Sequence, residues 1–162
     1  MNVGARRATG DLLLFLHADS RLDVNSYQKM VRTMSLGNSV GGAFSLFIDD
    51  KGLSLKMISR LATLRARYLH LVYGDQAIFV RTPIFRDLGG FPAIPICEDL
   101  DFFRKLRRKG PVLLLAEKVV TSGRRWKTEG IVLTTGRNVL IAGLFLLGFS
   151  PKRLSQWYRA VR

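Results

Sequence analysis

The 162-residue chain is poor in acid, in cysteine and in long apolar runs, and each scarcity narrows what it can be. Acidic residues number 12 against 26 lysines and arginines, a formal net charge of +14. That imbalance disfavours cationic partners and favours anionic ones: nucleic acid, acidic lipid or phosphorylated small molecules. A solvated surface with a basic bias explains it equally well. A single cysteine, Cys97, excludes an internal disulfide framework and makes a reducing, cytoplasmic compartment the expectation. The opening MNVGARRATG has no apolar h-region, so no secretory signal is expected there. The most apolar stretch, Val139 to Phe149, falls far short of the ~20 residues that span a bilayer as a helix. Zinc-finger spacings, internal repeats, low-complexity segments and Lys/Arg runs interleaved with aromatics are all missing, which leaves nucleic acid a minority option.

What is present suits a folded chain of about one domain. Hydrophobic residues make up 48% and charged residues 23%, enough to build a core. The run Leu12 to Leu16 reads as a short strand covered on both faces, and it leads straight into His17-Ala18-Asp19. On an extended backbone His17 and Asp19 point to the same side. In a parallel sheet, the carboxyl end of such a strand is where ligands bind.

Along the chain, residues 1 to 9 read as the tail of a helix closed by Gly10. Asn25 and Ser26 can cap a helix carrying Tyr27, Met30, Val31 and Met34 on one face, ended by Gly37. Val40 to Ile48 is a strand, and Leu53 to Tyr68 a helix with Leu61, Leu64 and Tyr68 in one stripe. GDQAIFVRT is a turn and a strand; PIFRDLGGF is a short helix starting on Pro83 and stopping at Gly89-Gly90. ICEDLDFFRKLRRKG begins with acids and ends with bases, as a helix dipole favours. Val112 to Ala116 and Val119 to Thr121 are strand-like, and two helices broken at Ser150-Pro151 follow Gly130. The last of them sets Leu154, Trp157, Tyr158 and Val161 beside Lys152, Arg153, Arg159 and Arg162. That is the profile of a membrane-surface helix, or equally of an amphipathic helix packed on the domain.

Four short patterns carry the chemistry: HAD at 17–19, GDQ at 74–76, ED at 98–99 and SGRRW at 122–126. Each alone has an ordinary structural explanation, as turn acids, first-turn helix acids or a core ring. In this order, together with MNVGARRATGDLLLFLHADSRL, FRDLGGFP and IPICEDLDFFRKLRRKG, they resemble family-2 glycosyltransferases of the GT-A fold. The subgroup most resembled is the arsenosugar-biosynthesis-type glycosyltransferases, and the resemblance covers nearly the whole chain.

The resemblance implies an α/β fold, the C-terminal part of a Rossmann-like GT-A glycosyltransferase with a mixed β-sheet flanked by helices. Residues 1–129 would be a partial GT-A domain, and residues 130–162 a C-terminal helical, membrane-surface segment. It implies an inverting, metal-dependent transfer of a sugar from a nucleotide-diphosphate sugar to a small hydroxyl acceptor. Asp19 matches the second acid of the family's D-x-D-like motif and takes the metal role, holding Mn2+ or Mg2+ against the donor's diphosphate. His17 stands where the first acid usually is and is placed with the donor and diphosphate group. Asp99 matches the general base, with Glu98 as its neighbour. Gly74, Asp75 and Gln76 match the acceptor-side loop. Arg124, Arg125 and Trp126 resemble the diphosphate-side Q-x-x-R-W motif of processive relatives, with Ser122 where glutamine would stand. That departure favours a single transfer over processive synthesis. Two adjacent acids at a helix start lie in the helix dipole, which favours their ionised forms.

Family members also begin with strands that bind the nucleotide base and ribose, and no matching segment precedes Met1. The expectation is a mis-started, broken or naturally short product that binds sugar nucleotide weakly alone. An unpaired sheet edge and self-association are expected with it. The alternative function is an inactive glycosyltransferase remnant acting as a basic module on a membrane surface or nucleic acid. A cytoplasmic location, with peripheral contact on the inner membrane face, suits either.

Overall fold

The computed structural model describes residues 1–160 of the chain, with side chains through Tyr158. It is an α/β protein built on one mixed, five-stranded sheet with helices on both faces. The strands are β1 (Leu12–Phe15), β2 (Ser20–Arg21), β3 (Gly41–Asp49), β4 (Ile78–Arg81) and β5 (Val112–Ser122). They lie in the order β1-β4-β3-β5-β2. β3 and β5 are parallel, whereas β4 runs antiparallel to both β1 and β3. β1 is therefore at one end of the sheet, hydrogen-bonded on one side only among the described residues.

Eight helices complete the described chain: α1 (Asn2–Arg7), α2 (Val24–Leu36), α3 (Leu53–Leu69), α4 (Thr82–Asp87), α5 (Glu98–Lys109), α6 (Arg124–Glu129), α7 (Ile131–Leu146) and α8 (Pro151–Ala160). Among the described residues no helix is long and apolar enough to cross a membrane.

Alternation along the strands separates two cores. Leu13, Ala43, Ile78 and Val80 face one side, where Phe85, Phe91, Phe102 and Phe103 fill the space beneath α4 and α5. Phe44, Leu46, Ile48 and Phe79 face the other, against Met30 and Met34 of α2 and Leu55 of α3. On the first side the Phe91 and Phe102 rings lie 4.5 Å apart, and Phe15 meets Phe91 edge-on at 4.8 Å. β3 crosses its neighbours so closely that a Cβ on Gly42 would stand 2.2 Å from the Leu113 carbonyl oxygen. Only glycine fits there.

Several elements differ from the sequence reading in instructive ways. α2 is capped by Asp23, whose carboxylate accepts the Ser26 N–H at 2.9 Å, and not by Asn25 or Ser26. Only Met30 and Met34 of its expected face are buried, while Tyr27 and Val31 stay exposed. At the far end the Arg81 guanidinium donates to the Met34 and Gly37 carbonyls, closing the helix with a cation. The two strand-like pieces 112–116 and 119–121 are one strand, β5, interrupted by a bulge: Phe44 pairs with Leu115, but Ser45 pairs with Lys118.

α3 shows the largest difference. Its expected stripe of Leu61, Leu64 and Tyr68 points outward, and Leu55, Ser59, Ala62 and Ala66 face the sheet. β3 pairs with β4 only at Gly41 and Gly42, which leaves later donors on that edge without a strand partner. The Ser59 hydroxyl accepts the Ile48 N–H at 2.9 Å, and Thr63 accepts the Leu46 N–H at 3.1 Å. Satisfying buried backbone donors requires small polar residues on this face.

In α8, Leu154 is fully buried and Tyr158 lies against the domain, while Trp157 is half exposed. Of the expected stripe, Leu154 and Tyr158 thus pack inward; Val161, with Arg162, lies outside the described residues.

Candidate functional site

The carboxyl ends of β1 and β5 and the start of β4 meet at one edge of the sheet, since Phe15 pairs with Ile78. Each contributes a short loop. After β1, the His17 carbonyl accepts the Ser20 N–H, and the Asp19 carbonyl accepts the Ser122 N–H from the end of β5. Ser20 also bonds Thr121 at 3.2 Å, so the HAD turn is pinned to β5 through its backbone. Its two functional side chains remain exposed.

Before β4, residues Gly74–Gln76 form a single 3-10 turn held by a buried network. Gln76 is fully buried, donating to the Phe44 carbonyl at 3.2 Å and accepting from Arg65. Arg65 also donates to the Leu71 carbonyl and stacks 3.5 Å from the Tyr73 ring centroid. Gly74 is crowded: a Cβ there would lie 2.6 Å from His17 Nε2 and 3.3 Å from Asp99 Oδ2. Asp99, in the first turn of α5, accepts the Gly74 N–H at Oδ2 and the Leu100 N–H at Oδ1. The HAD, GDQ and ED motifs therefore touch one another.

Above them lies a cavity of about 510 Å³. His17, Asp19, Gly74, Asp75, Glu98, Asp99, Arg125 and Trp126 line it, so eight of the ten residues singled out by sequence share one space. The other two are elsewhere. Gln76 is spent on the core, because an amide can bridge β3 and Arg65 without leaving either unpaired. Arg124 is exposed at the start of α6, outside the cavity wall.

Sequence reasoning missed the far wall. Asn138, Ile141 and Ala142 of α7 and Ser155 and Tyr158 of α8 close the cavity opposite the carboxylates. The available signal was the Arg137-Asn138 pair inside an otherwise apolar run. Arg137 is buried, ion-paired with Glu129 of α6 and 4.5 Å from the Tyr158 ring centroid. Arg125 lies 5.2 Å from the same ring and 3.6 Å from Glu129. Trp126 is oriented by its indole N–H, which donates to Thr135 at 3.3 Å.

The electrostatics are dominated by burial. It pushes the Asp75 carboxyl up to about 6, against the opposing pull of Arg65. Asp75 Oδ1 is buried with no hydrogen-bond partner among the described residues. Burial, with some help from the Asp99 charge, also raises Glu98, so desolvation overrides the dipole stabilisation that its helix-start position predicts. Burial and the two neighbouring carboxylates push the Cys97 thiol up to about 12. That favours the protonated thiol over the nucleophilic thiolate at neutral pH.

Among the described residues, no group of three His, Cys, Asp or Glu side chains is arranged to hold a metal ion. The donor set fits a different mode: an exposed carboxylate, Asp19, on the wall of a cavity that also holds a guanidinium. Mg2+ and Mn2+ favour one or two carboxylates, with substrate phosphate and water completing the shell. Comparison with protein-family models, with curated proteins and with solved structures finds no match to this chain.

Proposed function

We propose that the cavity is the diphosphate and acceptor site of an inverting glycosyltransferase of family 2, on a GT-A-like sheet. The donor would be a nucleotide-diphosphate sugar, and the acceptor a small molecule with a free hydroxyl. The observation that carries this reading is the meeting of Asp19, Asp99 and Arg125, from three distant segments, around one cavity. A divalent cation held by Asp19 would supply charge neutralisation to the departing diphosphate.

The remaining chemistry falls to the chain's own side chains. The acceptor oxygen attacks the anomeric carbon as the bond from that carbon to the diphosphate oxygen breaks, and the acceptor proton passes to Asp99. The Gly74 and Leu100 N–H groups fix the Asp99 carboxylate against rotation, which favours an oriented base. Arg125 faces the side where the leaving diphosphate gathers charge, and its fork can bind two phosphate oxygens. Trp126 and Tyr158 line that side with aromatic rings. The alternative, an inactive basic module, gains nothing from this cavity, where four carboxylates would repel a bare polyanion.

Titration of the full chain with nucleoside diphosphates and Mn2+, followed by protein fluorescence and by sugar transfer, tests the reading. Metal-dependent binding is expected, weakened at least ~10-fold in Asp19→Ala. Asp99→Asn should bind the diphosphate as well as the parent and lower turnover by ~100-fold or more. Folded protein that binds no nucleoside diphosphate with metal present would overturn the assignment.

A further inference from the structure

Two helices expose apolar faces that neither the fold nor the cavity uses. α3 presents Leu53, Met57, Leu61, Leu64 and Tyr68 to solvent, each between 45% and 76% exposed. At 100° per residue these five fall within one narrow stripe, opposite the face that meets the sheet. α7 presents Val132, Leu133, Val139 and Leu140, with Leu147 just beyond its end, all between 54% and 86% exposed. Nothing lies within 4 Å of where a Cβ on Gly136 or Gly143 would stand, so that face is open along its length. α3 and α7 pack against each other. Two exposed apolar stripes on neighbouring helices mark an interaction surface.

The charges around the stripes select the partner. Lys56, Arg60 and Arg67 follow one border of the α3 stripe at the same helical spacing, all exposed. Between Lys51 and Tyr73 the chain has no acidic residue, and it has none from Gly130 to its end. A second copy of this surface would set these cations against one another, because a two-fold contact pairs a patch with itself. A bilayer with anionic headgroups answers both features. Its acyl boundary receives leucine, methionine and valine, while the lysine and arginine stems reach outward to phosphate.

We propose that the outer faces of α3 and α7 dock this protein on the surface of an anionic lipid bilayer. The surface contains no cavity residue, so the proposal stands or falls apart from the glycosyl-transfer reading. The sequence expectation placed membrane contact within residues 130–162, which include α7 but not α3; the α3 stripe lies outside that segment.

Flotation of the full chain with vesicles of phosphatidylcholine, alone or with a third phosphatidylglycerol, tests it. The parent protein should float with the anionic vesicles and remain behind with the neutral ones. Leu61→Glu and Leu140→Glu should each lower the bound fraction at least ~10-fold, as should joint Lys56→Glu, Arg60→Glu and Arg67→Glu. These positions are exposed, so thermal unfolding should stay within a few degrees of the parent, which separates lost docking from lost folding. Absence of flotation with either vesicle would overturn the proposal, as would flotation that the substitutions leave unchanged. So would a parent dimer, without vesicle binding, that Leu61→Glu converts to monomer, since the occupant would then be a second copy. Oligonucleotide binding abolished by the same substitutions, again without flotation, would overturn it in favour of nucleic acid.

Discussion

Asp75 and Asp99 belong to touching motifs yet sit in opposite environments. Asp99 has both oxygens engaged by backbone N–H groups, whereas Asp75 keeps a buried oxygen without a partner among the described residues. An enclosed carboxyl favours its protonated form, and the folded state therefore binds the Asp75 proton more tightly than the unfolded chain. The stabilisation is fully present below 3.8 and is lost as pH rises through about 6. Glu98, raised by the same cause, adds to the trend. Asp75→Asn should then stabilise the protein at neutral pH, by roughly 1–3 kcal/mol, and flatten the decline across that window. Urea unfolding of both proteins at acidic and neutral pH measures it; equal slopes would contradict the burial account. Sequence placed Asp75 in a loop, and that loop lies on the cavity wall, but burial is a property of neighbours and has no local signature. Gln76 shows the same limit, one residue on, by serving the core.

At the level of elements, the sequence located most helices and strands because periodicity and turn chemistry are local. It could not tell which of two faces a helix turns inward. α3 offered a large apolar stripe and a small, partly polar one, and the sheet took the small one. Unpaired N–H groups on β3 are the reason: Ser59 and Thr63 accept them, and leucines could not. Ser59→Ala should leave the Ile48 N–H buried and unsatisfied, costing about 1–3 kcal/mol. Chemical denaturation measures the loss, and a change below a few tenths would mean that another acceptor replaces the hydroxyl. The bulge in β5 follows the same logic. Glu117 and Lys118 interrupted the strand pattern in the sequence, whereas the register shift between Leu115 and Lys118 leaves Ala116 and Glu117 as the bulged residues.

Over the whole molecule, three helices at the C-terminal end complete the cavity that the sheet edge begins. Their cohesion runs through Arg137, buried between Glu129 of α6 and Tyr158 of α8. Arg137→Leu should cost roughly 3 kcal/mol by leaving a mostly buried carboxylate without its main partner. It should also loosen the wall that carries Asn138 and Tyr158, raising the rate of amide hydrogen exchange in α7 and α8. Stability and exchange unchanged from the parent would show that the three helices are held by apolar contact alone.

The sequence by itself determined the alternating strands and helices, the motif order and the charge balance, because these depend on neighbours along the chain. Tertiary structure alone decided that His17, Asp19, Gly74, Asp75, Glu98, Asp99, Arg125 and Trp126 share a cavity, that α7 and α8 close it, and that α3 faces outward with leucines. Those outcomes depend on which backbone groups lack partners and which surfaces are small enough to approach, and both are set only when distant segments meet.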